Sequence, residues 1–170
     1  MKVFISYHRA DSYYRYKVEN IMNNAGIDYY VVPEDADFNG KSAETIKTFI
    51  CNRLKQCDVL LCLIGQETYS RPHVDREIHT ALKGDPGVRL GIVGVLLSTR
   101  GDSLDSPNKA TIPAKLRDNS DYVVWTEYND LNSNIRDLID EAYENSLDRR
   151  LQTNHSNPCM PLRTTLYYNN

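Results

Sequence analysis

Six consecutive apolar residues, Val59-Leu-Leu-Cys-Leu-Ile64, stand between Asp58 and Gly65. A strand with one wet face alternates apolar and polar side chains, so an unbroken run of this length fits a strand covered on both faces. Such strands belong to parallel sheets, whose crossover helices pack on either side. The rest of the chain supplies the pieces. Val3-Phe4-Ile5 reads as a buried first strand. Tyr14, Val18, Ile21 and Ala25 recur at helical spacing, and Gly26 stands where a C-terminal cap belongs. Residues 28–32 form a second strand, stopped by Pro33, and residues 34–41 a polar loop. Ala43, Ile46, Ile50 and Leu54 share one stripe of a second helix. A third helix is predicted over 72–83, a chain break over 84–87 and a fourth strand over 90–97. A long polar loop over 98–111, a fifth strand over 122–125 and a last helix presenting Leu131, Ile135, Leu138 and Ala142 complete the pattern.

Five strands alternating with helices predict an α/β fold with a parallel sheet and right-handed crossovers. At 170 residues the flavodoxin-like order 2-1-3-4-5 is the natural arrangement. The periodicity covers residues 1–146. Residues 147–170 lose it, carry Pro158, Pro161 and several Asn, and read as a tail of unknown role.

Composition narrows the partners. A net charge of -3 and a pI of about 5.8 argue against bulk electrostatic binding to nucleic acid. No apolar run approaches a membrane span, and MKVFISYH opens directly as a strand without the apolar segment of a signal peptide, so a cytoplasmic location is expected. Cys51, Cys57, Cys62 and Cys159 form no C-x-x-C pair. They read as reduced thiols in a cytosolic protein, with a metal site or a disulfide as the lesser reading, and no metal ligand set is assigned.

In a sheet of this order, ligands bind beyond the carboxyl ends of the strands at the switch point, here between strands one and three. The loops to inspect are 6–11 and 65–71, with 33–41 nearby. Several chemistries of such folds are excluded. The first loop is SYHRADS, not G-x-G-x-x-G. The acids of a phosphate-accepting receiver are missing after strands one and three. Gly40-Lys41-Ser42 ends like a Walker A loop, but Asp35 replaces its first glycine. Ser42 reads instead as the cap of the second helix, and a nucleotide-binding regulatory domain built on this tripeptide stays a third, weaker reading.

The third helix, with Val74, Ile78, Ala81 and Leu82 as its buried stripe, carries the remaining signal. At about 100° per residue, Glu77 falls about 60° from Val74 and about 40° from Ala81, at the edge of the apolar face. His73 lies one turn earlier on the same side, and Arg76 points away. A half-buried carboxylate beside a cleft suits glycosidic chemistry, where positive charge builds on a ribose. By spacing alone, a surface or salt-bridged glutamate is the competing reading.

Lys2-Val-Phe-Ile-Ser-Tyr7 resembles the opening strand of TIR (toll/interleukin-1 receptor) domains. Tyr69-Ser-Arg-Pro-His-Val-Asp-Arg-Glu-Ile78 is similar to the S-x-W-x-x-x-E segment of TIR enzymes. The closer likeness is to the TIR-like ThsB proteins of the bacterial Thoeris anti-phage system, over residues 1–146. The resemblance implies a flavodoxin-like TIR fold, with Glu77 as catalytic residue and NAD as substrate rather than cofactor. It implies cleavage of the nicotinamide–ribose bond and an ADP-ribose-derived signal, cyclic or conjugated, that acts on a separate effector protein. Self-association between TIR domains is a further implied partnership. Tyr7, His8, Arg9, Lys41, Ser70, Arg71 and His73 are carried over as substrate-binding positions, and residues 33–40 correspond to the family's BB loop. The family's tryptophan is His73 here. Glu34, Asp35 and Asp37 read as loop residues, and Trp125 as packing at the sheet end. A non-catalytic TIR scaffold for protein assembly stands as the alternative.

Overall fold

The computed structural model describes residues 1–32, 41–84 and 89–161. The strands are β1 (Lys2–Ser6), β2 (Asp28–Val31), β3 (Val59–Ile64), β4 (Gly91–Leu96) and β5 (Val124–Glu127). The helices are α1 (Ser12–Asn24), α2 (Ala43–Leu54), α3 (Pro72–Lys83), α4 (Ala114–Arg117) and α5 (Tyr128–Leu147). All strands are parallel, in the order β2-β1-β3-β4-β5. The expected α/β fold and strand order are therefore observed.

The reason lies in the strand faces. Every residue of β3 and β4 is buried, because side chains alternate between two cores. Phe4, Leu60, Cys62, Ile64 and Ile92 join Ile46, Ile50 and Leu54 of α2 and Val74, Ile78 and Leu82 of α3. Val3, Ile5, Leu61, Leu63, Val93 and Val95 join Val18 and Met22 of α1 and Leu131, Ile135 and Ile139 of α5. Each helix follows local signals. Gly26 adopts φ 62° and ends α1. The Ser42 hydroxyl accepts the Thr45 N–H at 3.1 Å and starts α2. Pro72 occupies the first turn of α3, where its missing N–H costs nothing.

Several details depart from the sequence expectation. On α1 the fully buried positions are Val18 and Met22, with Tyr14 and Ile21 at the rim. Ala43 is exposed rather than part of the α2 stripe. On α5 the buried position is Ile139 rather than Leu138. The last strand begins at Val124, not residue 122, because Tyr122 turns inward and its hydroxyl donates to the Leu90 carbonyl at 2.6 Å. The four-residue α4 lay inside a stretch without apolar periodicity. Residues 33–40, most of the 84–87 break and residues 162–170 lie outside the described residues.

Beyond α5 the chain crosses to the α3–α4 layer. The Arg89 guanidinium donates to the carbonyls of Ser146, Asp148 and Leu151, covering the free end of α5 with a cation. Asn119 and Asn154 exchange hydrogen bonds of 2.8 and 2.6 Å. Met160 N–H reaches Asp75 at 2.8 Å. Trp125 packs over Gly94, where a β-carbon would meet its ring at 2.8 Å. No helix among the described residues is long and apolar enough to cross a membrane.

Candidate functional site

The carboxyl end of β1 is polar where its interior is not. Ser6 is buried in register with Cys62 of β3, so its hydroxyl projects toward the layer that holds α3. There it meets Glu77 and donates to Oε2 at 2.6 Å. Glu77 is only 4% exposed. The helical wheel set it at the edge of the apolar face; the tertiary fold then covers that edge with the end of β1.

A narrow cleft opens above this pair, lined by Tyr7, His8, Arg9, Arg71, His73 and Glu77, with Ile5, Val32 and Val74 as apolar walls. Six of the eight residues singled out in the sequence thus converge. The remaining two do not line it. Ser70 is exposed and donates to the Glu67 carbonyl at 2.9 Å. Lys41 is exposed just ahead of α2. The cleft volume is about 20 Å³, room for about one water molecule. A nicotinamide ring enters only if side chains move.

The lining residues differ in how far they are committed to the protein. Tyr7 is 6% exposed and belongs to the α1–α5 core, with the Arg15 guanidinium 5.5 Å from its ring centre. It forms a wall rather than an open stacking platform. Arg71 forms an ion pair with Glu67 one turn away. His73 stands one helical turn before Glu77 and is half-buried.

Two polar groups at this end of the sheet were not singled out as site residues. Ser6 and Asp11 bound the first of the switch-point loops, but neither carries an assigned role; a hydroxyl closing an apolar strand at the switch point is the signal that marks Ser6. Asp11 is buried against Gly65, where even a β-carbon would lie 2.4 Å from its carboxylate. The Thr68 hydroxyl donates to Asp11 at 3.5 Å. Burial pushes the Asp11 carboxyl up to about 6, and Thr68 and the Arg71 charge offset only part of that. Cys62 is fully buried beneath them, and burial, then the Glu77 carboxylate, pushes its thiol far up, which leaves it unreactive. All four cysteines are free thiols.

Chemically, the arrangement offers a fixed carboxylate at the floor of a cleft with imidazoles and guanidinium groups on its rim. The carboxylate can stabilise developing positive charge, and the rim cations can meet an anionic group.

No curated protein matches the chain. Among solved structures the chain is similar to the TIR domains of the activated Roq1 resistosome directly recognizing the pathogen effector XopQ. That likeness is 16% in sequence with a TM-score of 0.43, over 85% of this chain and 80% of that one. A family model described as Thoeris protein ThsB, TIR-like domain, matches residues 4–102, which include the end of β1, the residues lining the cleft and all of α3. The chain belongs to the ThsB family of Thoeris proteins and is a defence-related TIR-like domain.

Proposed function

We propose that this protein cleaves the nicotinamide–ribose bond of NAD in the cytoplasm and makes an ADP-ribose-derived signal for a separate effector. The observation that carries the reading is the buried Glu77 carboxylate, held by the Ser6 hydroxyl at the floor of the switch-point cleft. A carboxylate oriented in this way is preorganised for charge that develops only during reaction.

When the bond between C1′ and the pyridinium nitrogen breaks, its electron pair stays with nitrogen and nicotinamide leaves neutral. The ribose is left as an oxocarbenium-like cation. Glu77 stabilises that cation and holds the ribose hydroxyls. Arg9 and Arg71 face the diphosphate, and His73 and His8 border the ring. Water attacking C1′ and losing a proton yields ADP-ribose. A ribose hydroxyl or an adenine nitrogen of the same molecule yields a cyclic product instead. Exclusion of water from the cleft selects between them. Self-association of TIR domains would complete or widen the cleft, whose volume of about 20 Å³ is too small for the ring.

The test is NAD turnover by wild type and Glu77→Gln, purified and also recovered from phage-infected cells, with products resolved by mass. Nicotinamide release by wild type alone is expected. Equal turnover by both proteins would remove Glu77 from the mechanism. No turnover by wild type from either source would leave the scaffold reading.

A further inference from the structure

A second recess lies on the outer surface, between α2 and α3, about a third of a turn round α3 from Glu77. It is lined by Lys47 and Cys51 of α2 and by Arg76, His79, Thr80 and Lys83 of α3, and its cavity volume is about 420 Å³. The cleft above Glu77 has about 20 Å³. This groove is thus in the size range of a small-molecule site.

Among the described residues, the charged side chains that line it are all basic. Among the described residues no ion pair engages Arg76 or Lys83, and Lys47 has only the exposed Glu44, at 3.3 Å. An exposed pair of that kind contributes little. Thr80 donates to the Arg76 carbonyl at 2.9 Å and lies 3.9 Å from Cys51, which closes the floor. Arg76 Nε and His79 Nδ1 are buried without a hydrogen-bond partner. The surroundings add more positive charge. His155 stacks edge-on to His79 at 6.3 Å. Lys115 of α4 lies nearby, with its own charge met by Asp75 at 2.5 Å. Burial lowers the pKa of the His79 imidazole, and Lys115, Arg76, Lys83 and His155 lower it further. An overall acidic protein that gathers cations around one recess concentrates anions there.

We propose that this groove is a second anion site, separate from the Glu77 cleft, that binds the phosphate groups of a small phosphorylated ligand. Arg76 supplies a planar donor fork, and Lys47 and Lys83 supply point charges on either side. The proposal is independent of NAD cleavage.

The four histidines divide between the two sites. His8 and His73 line the cleft, and His79 lies in the groove with His155 stacked beside it. Histidine NMR spectra of the full chain, titrated with inorganic phosphate and then pyrophosphate at physiological salt, therefore report on each site separately. Saturable shifts of His79 and His155 are expected, with tighter binding of pyrophosphate and a rise of the His79 pKa toward its ordinary value. Arg76→Gln with Lys83→Gln is expected to weaken binding at least about tenfold. Lys47→Gln with Lys83→Gln serves as a second variant should the first unfold. Shifts confined to His8 and His73, or no saturable shift at all, would overturn the proposal. So would a groove variant that alters sedimentation while leaving phosphate binding intact, which would mark the surface as a protein contact.

Discussion

Two buried carboxylates stand two residues apart on α3 and do different things. Asp75 is 5% exposed and Glu77 is 4% exposed, so burial does not tell them apart. Asp75 faces α4 and the segment after α5, where Lys115 Nζ lies 2.5 Å away and Met160 N–H 2.8 Å away. Its charge is met by a cation, and the result ties three parts of the chain together. Glu77 faces the end of β1, takes a neutral hydroxyl from Ser6, and opens on a cleft. The lesson is that a buried acid is read from what it meets. A carboxylate neutralised by lysine within the protein is structural. One held by a hydroxyl at the floor of a cleft stands where a ligand can reach it.

Breaking each carboxylate in turn tests this contrast. The largest effect expected is on stability, from Asp75→Ala. It leaves the Lys115 ammonium buried and unpaired, which costs about 3–5 kcal/mol, or about 10 °C in Tm for a protein of this size. Thermal melts should show that drop, and Asp75→Leu combined with Lys115→Met should recover most of it. Activity per folded molecule should survive. Glu77→Gln should behave in the opposite way. NAD turnover falls by at least about 10²-fold, while the melting curve stays within about 1 kcal/mol of wild type. Loss of activity in Asp75→Ala without loss of fold would break the contrast.

Asp11 sharpens the comparison with a third acid, one that is buried without full compensation. Its carboxyl is raised from 3.8 to about 6 in the folded chain. The folded state therefore holds the proton that the unfolded state releases. Stability conferred by the neutral form is present below about pH 4 and is lost as pH rises through about 6. Asp11→Asn should remove that slope and raise stability at pH 7 by up to about 3 kcal/mol. Urea titrations from pH 4 to 7 would detect it, and parallel slopes in both proteins would count against a raised carboxyl. The smallest effect concerns positioning. Ser6→Ala removes one hydrogen bond to Glu77 and should lower kcat about tenfold, equivalent to about 1.4 kcal/mol, with little change in KM. A wild-type kcat would mean that Glu77 is oriented by other contacts.

Much of this was legible in the chain itself, for identifiable reasons. The apolar runs of β3 and β4 are recognisable because a doubly covered strand has no polar face to show. Ser42 and Gly26 announce helix ends because capping is local chemistry. The spacing of Val74, Ile78, Ala81 and Leu82 set Glu77 at the edge of the helix's buried face. Other features were hidden because their causes are remote in sequence. Ser6 and Glu77 are 71 residues apart, and Asp75 and Lys115 are 40 apart. At about 100° per residue Asp75 falls about 20° from Leu82, so the spacing of α3 sets it at the other edge of the apolar face, but not which cation meets it. The beginning of β5 was misplaced because Tyr122 and Val123 look like strand residues, yet Tyr122 is drawn inward by a carbonyl 32 residues away.

Periodicity and capping, which act within a few residues, thus determined the elements, the strand order and the helix that carries Glu77. The family match runs over residues 4–102, which hold most of both short motifs that resemble TIR domains. The partners of each buried charge were decided only when the chain closed on itself. Desolvation depends on what covers a group, and the cover comes from elements distant in sequence. The same holds for the basic groove. Lys47 and Lys83 are ordinary surface lysines on separate helices until α2 and α3 pack side by side and turn them toward one recess.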